Sequence, residues 1–254
     1  MALPIPLLLA LNSEPARLEQ GIAPAVGIAF FSTSVWLGLI AAQKDHAPRA
    51  CRVCSSNALD EGARTLRWGR PGIADTLSNI GLALTPAWAL GSLAVSGTVD
   101  SRASGVDVLL VVESTAVAMM LNQLVKLEVA RARPDVHHGL VARGGAEDNL
   151  SFFSGHTTWG FASAVAAGSV ASLRGYRGAP AVWAGGLVFA SATGWLRIGA
   201  DRHWLTDVLT GAVIGTVAGA VIPRLHLVSP SPSPAAAASA VSASPVWFTW
   251  GGVF

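Results

Sequence analysis

Six long runs nearly free of charge limit what this chain can become. Ile22–Ala42 has no charged residue in 21, Thr76–Val99 none in 24, Thr157–Leu173 none in 17 and Gly178–Leu196 none in 19. Val108–Val125 holds one acid, Glu113, and Trp204–Ile222 one acid, Asp207. A helix rising about 1.5 Å per residue needs roughly 17–25 residues to cross the hydrocarbon core of a bilayer, and all six runs fit. Composition argues against a soluble helical protein: charged residues make up 13% of the 254, where a soluble domain carries about 25%. The runs are rich in small residues, such as Ala164, Ala166, Ala167, Gly168 and Ser169. Such residues let helices approach closely in lipid, where apolar burial between helices gives no drive. The expectation is an all-α bundle of six transmembrane helices over residues 22–223.

The flanks read differently. Residues 1–21 hold a short apolar run, Leu7–Leu11, but no Lys or Arg precedes Arg17, and Pro4 and Pro6 interrupt it. A secretory signal has a basic start and a longer apolar core, so this stretch reads as a loose or interfacial leader. Residues 224–254 form a Ser/Pro/Ala-rich low-complexity tail that cannot build a core; its aromatic end, Val246–Trp250, suits a membrane interface or a disordered tail equally. The net charge of +2, from 17 basic and 15 acidic residues, gives no reason to expect nucleic acid as a partner.

Chemistry-bearing residues gather at the helix ends. Lys126 and Arg133 are seven apart, two helical turns, so both cations can share a face, and Pro134 marks the helix end. Ser154-Gly155-His156 stands just before the fourth run, where a helix N-terminus offers free N–H groups to an anion. Gly155 permits close approach of backbone to a ligand, Ser154 adds a hydroxyl, and His156 exchanges protons near neutral pH. Between the fifth and sixth runs stand Arg197, His203 and Asp207. His203 and Asp207 are four apart; on a helix they share a face and can hydrogen-bond, which fixes the tautomer and frees the other nitrogen as a nucleophile. Each cluster alone also fits a bland role: a snorkelling cation pair, an N-cap beside an interfacial histidine, a structural His–Asp pair.

Taken together, Lys-x6-Arg-Pro, Ser-Gly-His and Arg-x5-His-x3-Asp, in this order and at these boundaries, resemble the three-part signature of the type-2 phosphatidic acid phosphatase and vanadium haloperoxidase superfamily. The resemblance covers about residues 108–223 and favours its membrane lipid phosphatases. This chain has Phe153 where the family usually has Pro before Ser-Gly-His, and Leu196 where it usually has Ser before the Arg. The resemblance implies an active site at one membrane surface. There His203 attacks phosphorus to form a phosphohistidine, Asp207 holds and polarises it, and His156 protonates the leaving oxygen and later activates water. Lys126, Arg133, Arg197, Ser154 and the Gly155 amide surround the phosphoryl oxygens. Fixed cations then do what Mg²⁺ does elsewhere, so neither a metal nor a cofactor is expected. The implied substrate is a membrane lipid phosphate: phosphatidic acid, phosphatidylglycerophosphate, undecaprenyl pyrophosphate or lipid A phosphate. The rival readings are a vanadate-dependent haloperoxidase and a non-catalytic lipid-phosphate binding or transport protein.

Other polar residues receive lesser roles. Glu113 lies 13 residues before Lys126, about 20 Å along a straight helix, and reads as an interhelical hydrogen-bonding group. His137 and His138 read as solvated, and Arg131 as a loop contact. Cys51 and Cys54 form a disulfide in an oxidising compartment or a reduced pair in the cytosol. Alternating helices put these cysteines and all three clusters on one side. The resemblance implies the extracytoplasmic face of a bacterial inner membrane, whereas the six basic residues of loop Gln43–Gly72 oppose that orientation under the positive-inside rule.

Overall fold

The structure, a computed structural model, describes residues 22–101 and 105–227. The leader 1–21 and tail residues 228–254 lie outside the described residues. Six long helices run through the described chain: α1 (Ile22–His46), α3 (Pro71–Val99), α4 (Gly105–Val129), α6 (Gly155–Leu173), α7 (Ala179–Gly199) and α8 (Leu205–Leu225). Two short helices, α2 (Ala58–Ala63) and α5 (Pro134–His137), lie in the connections at one end. An isolated parallel bridge pairs Val53 with Arg131.

Five of the six long helices are long and apolar enough to cross a membrane, by length and composition. The chain is read as an integral membrane protein. The helix not among the five is α6. It packs against α3, α4, α7 and α8, and most of its residues are buried. A helix wrapped by protein gains from small side chains rather than large apolar ones, so by composition five helices, not the expected six, qualify as spans. Large apolar side chains point outward elsewhere: Phe30 is 74% exposed, Val188 65% and Val213 60%. Such a girdle is costly in water and suits lipid.

Close packing of α8 on α6 rests on Gly211, Gly215 and Gly219, spaced four apart. A Cβ at Gly211 would stand 2.7 Å from the Ser154 carbonyl, one at Gly215 2.6 Å from that of Thr158, and one at Gly219 2.7 Å from that of Ala162. This is the small-xxx-small device of membrane helices, and it brings the start of α8 beside the start of α6. Toward the opposite end of the bundle Glu113 of α4 lies 3.0 Å from His226 Nε2, just past the end of α8, a polar contact remote from the three clusters.

The connections α1–α3, α4–α6 and α7–α8 interlock at one end. Arg64 forms two 2.9 Å bonds to Asp201, and Arg67 lies 3.1 Å from the same carboxylate. The Trp68 amide donates to the Gly199 carbonyl at 3.0 Å. Three of the six basic residues of the first loop, Arg52 on Glu128 and Arg64 and Arg67 on Asp201, are thus engaged in ion pairs.

Candidate active site

The two cations of the first cluster reach one cavity by different routes. Lys126 is in the last turn of α4, but the helix stops at Val129, and Ala130 takes φ 47°. A side chain at positive φ is disfavoured; here the Ala130 carbonyl accepts from the Arg52 amide at 2.9 Å and Ala132 donates to Val53 at 3.1 Å, so the first loop holds the turn. Arg133 then precedes Pro134 at the head of α5. The expectation that Lys126 and Arg133 share one helical face is therefore wrong, because Ala130 ends the helix between them. Both still line a cavity of about 490 Å³ together with Gly155 and His156. Lys126 Nζ donates to the Leu150 carbonyl at 2.8 Å, and Arg133 pairs with Glu147 at 2.8 Å. The rest of the lining includes Trp36, Ile40, Leu82, Met119 and Trp159.

Ser154 is the N-cap of α6, fully buried, and its hydroxyl accepts from Thr157 Oγ1 at 2.9 Å rather than capping the helix. Its amide donates to the Asp207 carbonyl at 3.0 Å, which ties the second cluster to the third. A Cβ on Gly155 would stand 3.1 Å from Asn122 Oδ1, a close approach that favours glycine. His156 Nε2 lies 2.8 Å from Asn79 Oδ1. The peptide bond between Phe152 and Phe153 is cis.

Arg197, in the last turn of α7, is held by α3: its Nη1 donates to Asp75 at 2.6 Å and to Ser78 at 2.8 Å. The Nε groups of Arg133 and Arg197 are buried without a hydrogen-bond partner among the described residues. His203 is not on a helix. It stands one residue before Trp204, the N-cap of α8, and Asp207 is the third helical residue, accepting the Trp204 amide at 3.0 Å. The four-residue spacing thus reflects a helix cap, and a helical His203–Asp207 hydrogen bond does not form: Nδ1 is 3.7 Å from Asp207 Oδ2. Nδ1 instead lies 2.8 Å from the Ser151 carbonyl. A carbonyl only accepts, so Nδ1 carries the proton and Nε2 keeps its lone pair.

Residues 107–230 match the family model of the PAP2 superfamily. This segment belongs to the PAP2 superfamily. None of the curated proteins matches the chain. Among solved structures the chain is similar to the crystal structure of the first transmembrane PAP2 type phosphatidylglycerolphosphate phosphatase from Bacillus subtilis. Identity is 18% and the TM-score 0.49, over 79% of this chain and 94% of that one.

The PAP2 segment contains Lys126, Arg133, Ser154, Gly155, His156, Arg197, His203 and Asp207, whereas α2 and α3, which support them, precede it. Asp207 is fully buried and accepts from Ser151 Oγ at 2.5 Å and Arg131 Nη1 at 2.5 Å. Arg131 also donates to Asp60 of α2 at 2.6 Å. It is a buried bridge between two acids, a larger role than the loop contact expected. Asp60, Asp75, Ser78, Asn79 and Asn122 escaped the sequence reading as well. Asp75, Ser78 and Asn79 form a polar stripe one turn long at the head of an apolar helix, a signal that marks function in membranes. Asp60 gave no comparable signal.

Burial, followed by the charges of Lys126, Arg197 and Arg133, pushes the His203 imidazole well below its usual titration range. Lys126, Arg197 and Arg133 are thus near enough to His203 for their charges to oppose its protonation. Cys51 and Cys54 are joined in the structure, with Cα atoms 5.3 Å apart, at the same end of the bundle. His137 and His138 are not simply solvated, since Glu61 of α2 gathers beside them.

Proposed function

We propose that this protein is a lipid phosphate phosphatase that removes a terminal phosphate monoester or pyrophosphate group through a phosphohistidine on His203. The observation that carries the reading is the cavity beside α1, α3, α4 and α6. Lys126, Arg133 and His156 stand in it beside apolar Trp36, Ile40, Leu82, Met119 and Trp159. A ligand with a phosphate head and a hydrocarbon tail matches both linings, and the volume of about 490 Å³ falls in the ~300–1,000 Å³ range of small-molecule sites. Of the three arginine Nε groups buried without a partner among the described residues, Arg131, Arg133 and Arg197, the last two are donors that phosphoryl oxygens would satisfy.

In the proposed reaction His203 Nε2 attacks phosphorus, the P–N bond forms, and the P–O bond to the lipid breaks. His156 gives its proton to the departing oxygen. Water, deprotonated by His156, then attacks phosphorus, the P–N bond breaks, and inorganic phosphate leaves. The Ser151 carbonyl holds the His203 tautomer. Asp207 lies close enough to favour the charge that develops on the ring, while its main bonds fix the helix start and Arg131. Lys126, Arg133, Arg197 and the Gly155 amide stabilise the spread negative charge, and positioning with electrostatics is most of what phosphoryl transfer asks of a protein. Chemistry on this plan requires no metal.

All six long helices are proposed to span the membrane, with α6 sheathed by the others, and the site to face the extracytoplasmic side of a bacterial inner membrane. That side is proposed from the family resemblance; Glu128 and Asp201 offset only two of the six loop charges that oppose it. The test is phosphate release from a panel of lipid phosphates by the purified protein in detergent, with EDTA and with vanadate. Release that survives EDTA and is inhibited by vanadate is expected. No release from any lipid, or full loss with EDTA and rescue by Mg²⁺, overturns the reading.

A further inference from the structure

We propose that Glu61, His137 and His138 bind one divalent transition-metal ion of the zinc class, which clamps α2 to α5 beside the candidate active site. One carboxylate oxygen and two imidazole nitrogens, one from each residue, lie within 4.8 Å of one another. Two imidazoles and a carboxylate are a zinc-type donor set, whereas Mg²⁺ and Ca²⁺ take oxygen ligands. Three protein ligands leave a fourth, tetrahedral position for solvent. Metal–ligand distances of about 2 Å require donors about 3.3 Å apart, so the side chains must close by an ångström or so. His138 is exposed and Glu61 half-buried, free to make that adjustment, and His138 Nε2 already lies 3.3 Å from Glu61 Oε2.

The surroundings are built as a metal ligand's surroundings are. Ser56 Oγ donates to the other Glu61 oxygen, the kind of outer hydrogen bond that orients a ligating carboxylate. The His137 ring packs edge-on against Trp204 at 5.6 Å between centroids, and the Trp204 indole is fixed by its 2.9 Å bond to the Ala132 carbonyl. Backbone bonds from His137 to Arg133 at 2.8 Å and from His138 to Pro134 at 3.0 Å make the α5 turn firm. On the other side, Asn57 caps α2 by accepting the Asp60 amide at 3.0 Å. Asp60, next to Glu61, bonds Arg131, which bonds Asp207. An ion here therefore steadies the anchor of the catalytic segment and takes no part in the phosphoryl chemistry.

The test uses the full chain in detergent, stripped with EDTA, Cys51–Cys54 left oxidised, and titrated with Co²⁺ and then Zn²⁺. A visible Co²⁺ ligand-field band at one ion per chain, displaced by Zn²⁺, and a thermal midpoint that rises with Zn²⁺ are expected. The combined variant Glu61→Gln/His137→Ala/His138→Ala should lose both signals, and Ser56→Ala should weaken binding about 10-fold, the lower end for outer-sphere changes. Phosphate release in EDTA, measured on the same samples, serves as the folding control and tests the phosphatase reading separately. Wild-type protein without band or thermal response overturns the site, as does a combined variant that binds like wild type while retaining phosphate release. If the combined variant loses phosphate release, the single variant His138→Ala decides: unchanged metal affinity in it overturns the site.

Discussion

Arg131→Met is expected to be the most damaging substitution outside the residues that would touch phosphate. Arg131 is 6% exposed, and its two partners, Asp60 and Asp207, are 1% and 0% exposed. The substitution removes bonds of 2.5 Å to Asp207, 2.7 Å to Thr206 and 2.6 Å to Asp60. Breaking a buried ion pair from one side costs about 3–5 kcal/mol, because the remaining charge has lost its partner. Asp207 retains Ser151 and Trp204, and Asp60 retains the amide and hydroxyl of Thr206, so the loss should stay within that range. At about 2–4 °C per kcal/mol for a chain of this size, the thermal midpoint should fall by roughly 6–20 °C. Tryptophan fluorescence in detergent reads it, with nine tryptophans in the chain. Adding Asp60→Asn to Arg131→Met removes one stranded charge, so the double variant should be less destabilised than the sum of the singles by about 0.5–3 kcal/mol. A drop below about 2 °C, or additivity within about 0.5 kcal/mol, would refute the bridge.

His203→Ala should lower phosphate release by about 10⁴-fold or more and abolish an acid-labile phosphoenzyme that forms in wild type; near-normal turnover would end its assignment as nucleophile. Asn79→Ala frees the His156 ring, so kcat should fall about 10-fold with KM little changed, less than the ~10²–10⁴-fold loss for removing an acid–base group, as in His156→Ala; an unchanged kcat would show that Asn79 does not orient it. Because burial and three cations hold the His203 pKa low, the unfolded chain takes up a proton below about pH 6.5 that the folded chain refuses. Stability should then decline by up to about 1.4 kcal/mol per pH unit below that point, until folded His203 itself titrates. His203→Asn should flatten that decline, and equal acid sensitivity in the two proteins would contradict it. In intact cells an impermeant thiol reagent should label Cys51 and Cys54 only after reduction; labelling that needs the membrane opened but no reductant would put the site inside.

The helices were legible where a single segment carries its own signal. The apolar runs marked α1, α3, α4, α6, α7 and α8 to within about five residues. Lys126, Arg133, Ser154, Gly155, His156, Arg197, His203 and Asp207 stood out as candidates because their order and spacing beside helix ends resemble a family signature, and Lys126, Arg133, Gly155 and His156 do line one cavity. Their partners did not stand out. Asp60 reaches Thr206 and Arg131 across 146 and 71 residues, and Asp75 reaches Arg197 across 122, so no pattern along the chain could pair them. The spacing between Lys126 and Arg133 also misled, since α4 ends before Ala130, where the Arg52–Val53 segment binds the backbone.

By itself the sequence determined that this protein must live in lipid, since too few charges remain to clothe it in water, and which side chains crowd its helix ends. Only the tertiary structure decided how they are held. His203 donates its Nδ1–H to the Ser151 carbonyl rather than to Asp207, Asp207 caps α8 and is gripped by Arg131, and α6 withdraws from lipid to the centre of the bundle. These outcomes depend on which backbone groups and charges from distant segments are left to satisfy one another once the helices pack, and in a buried low-dielectric site that pairing governs the energy.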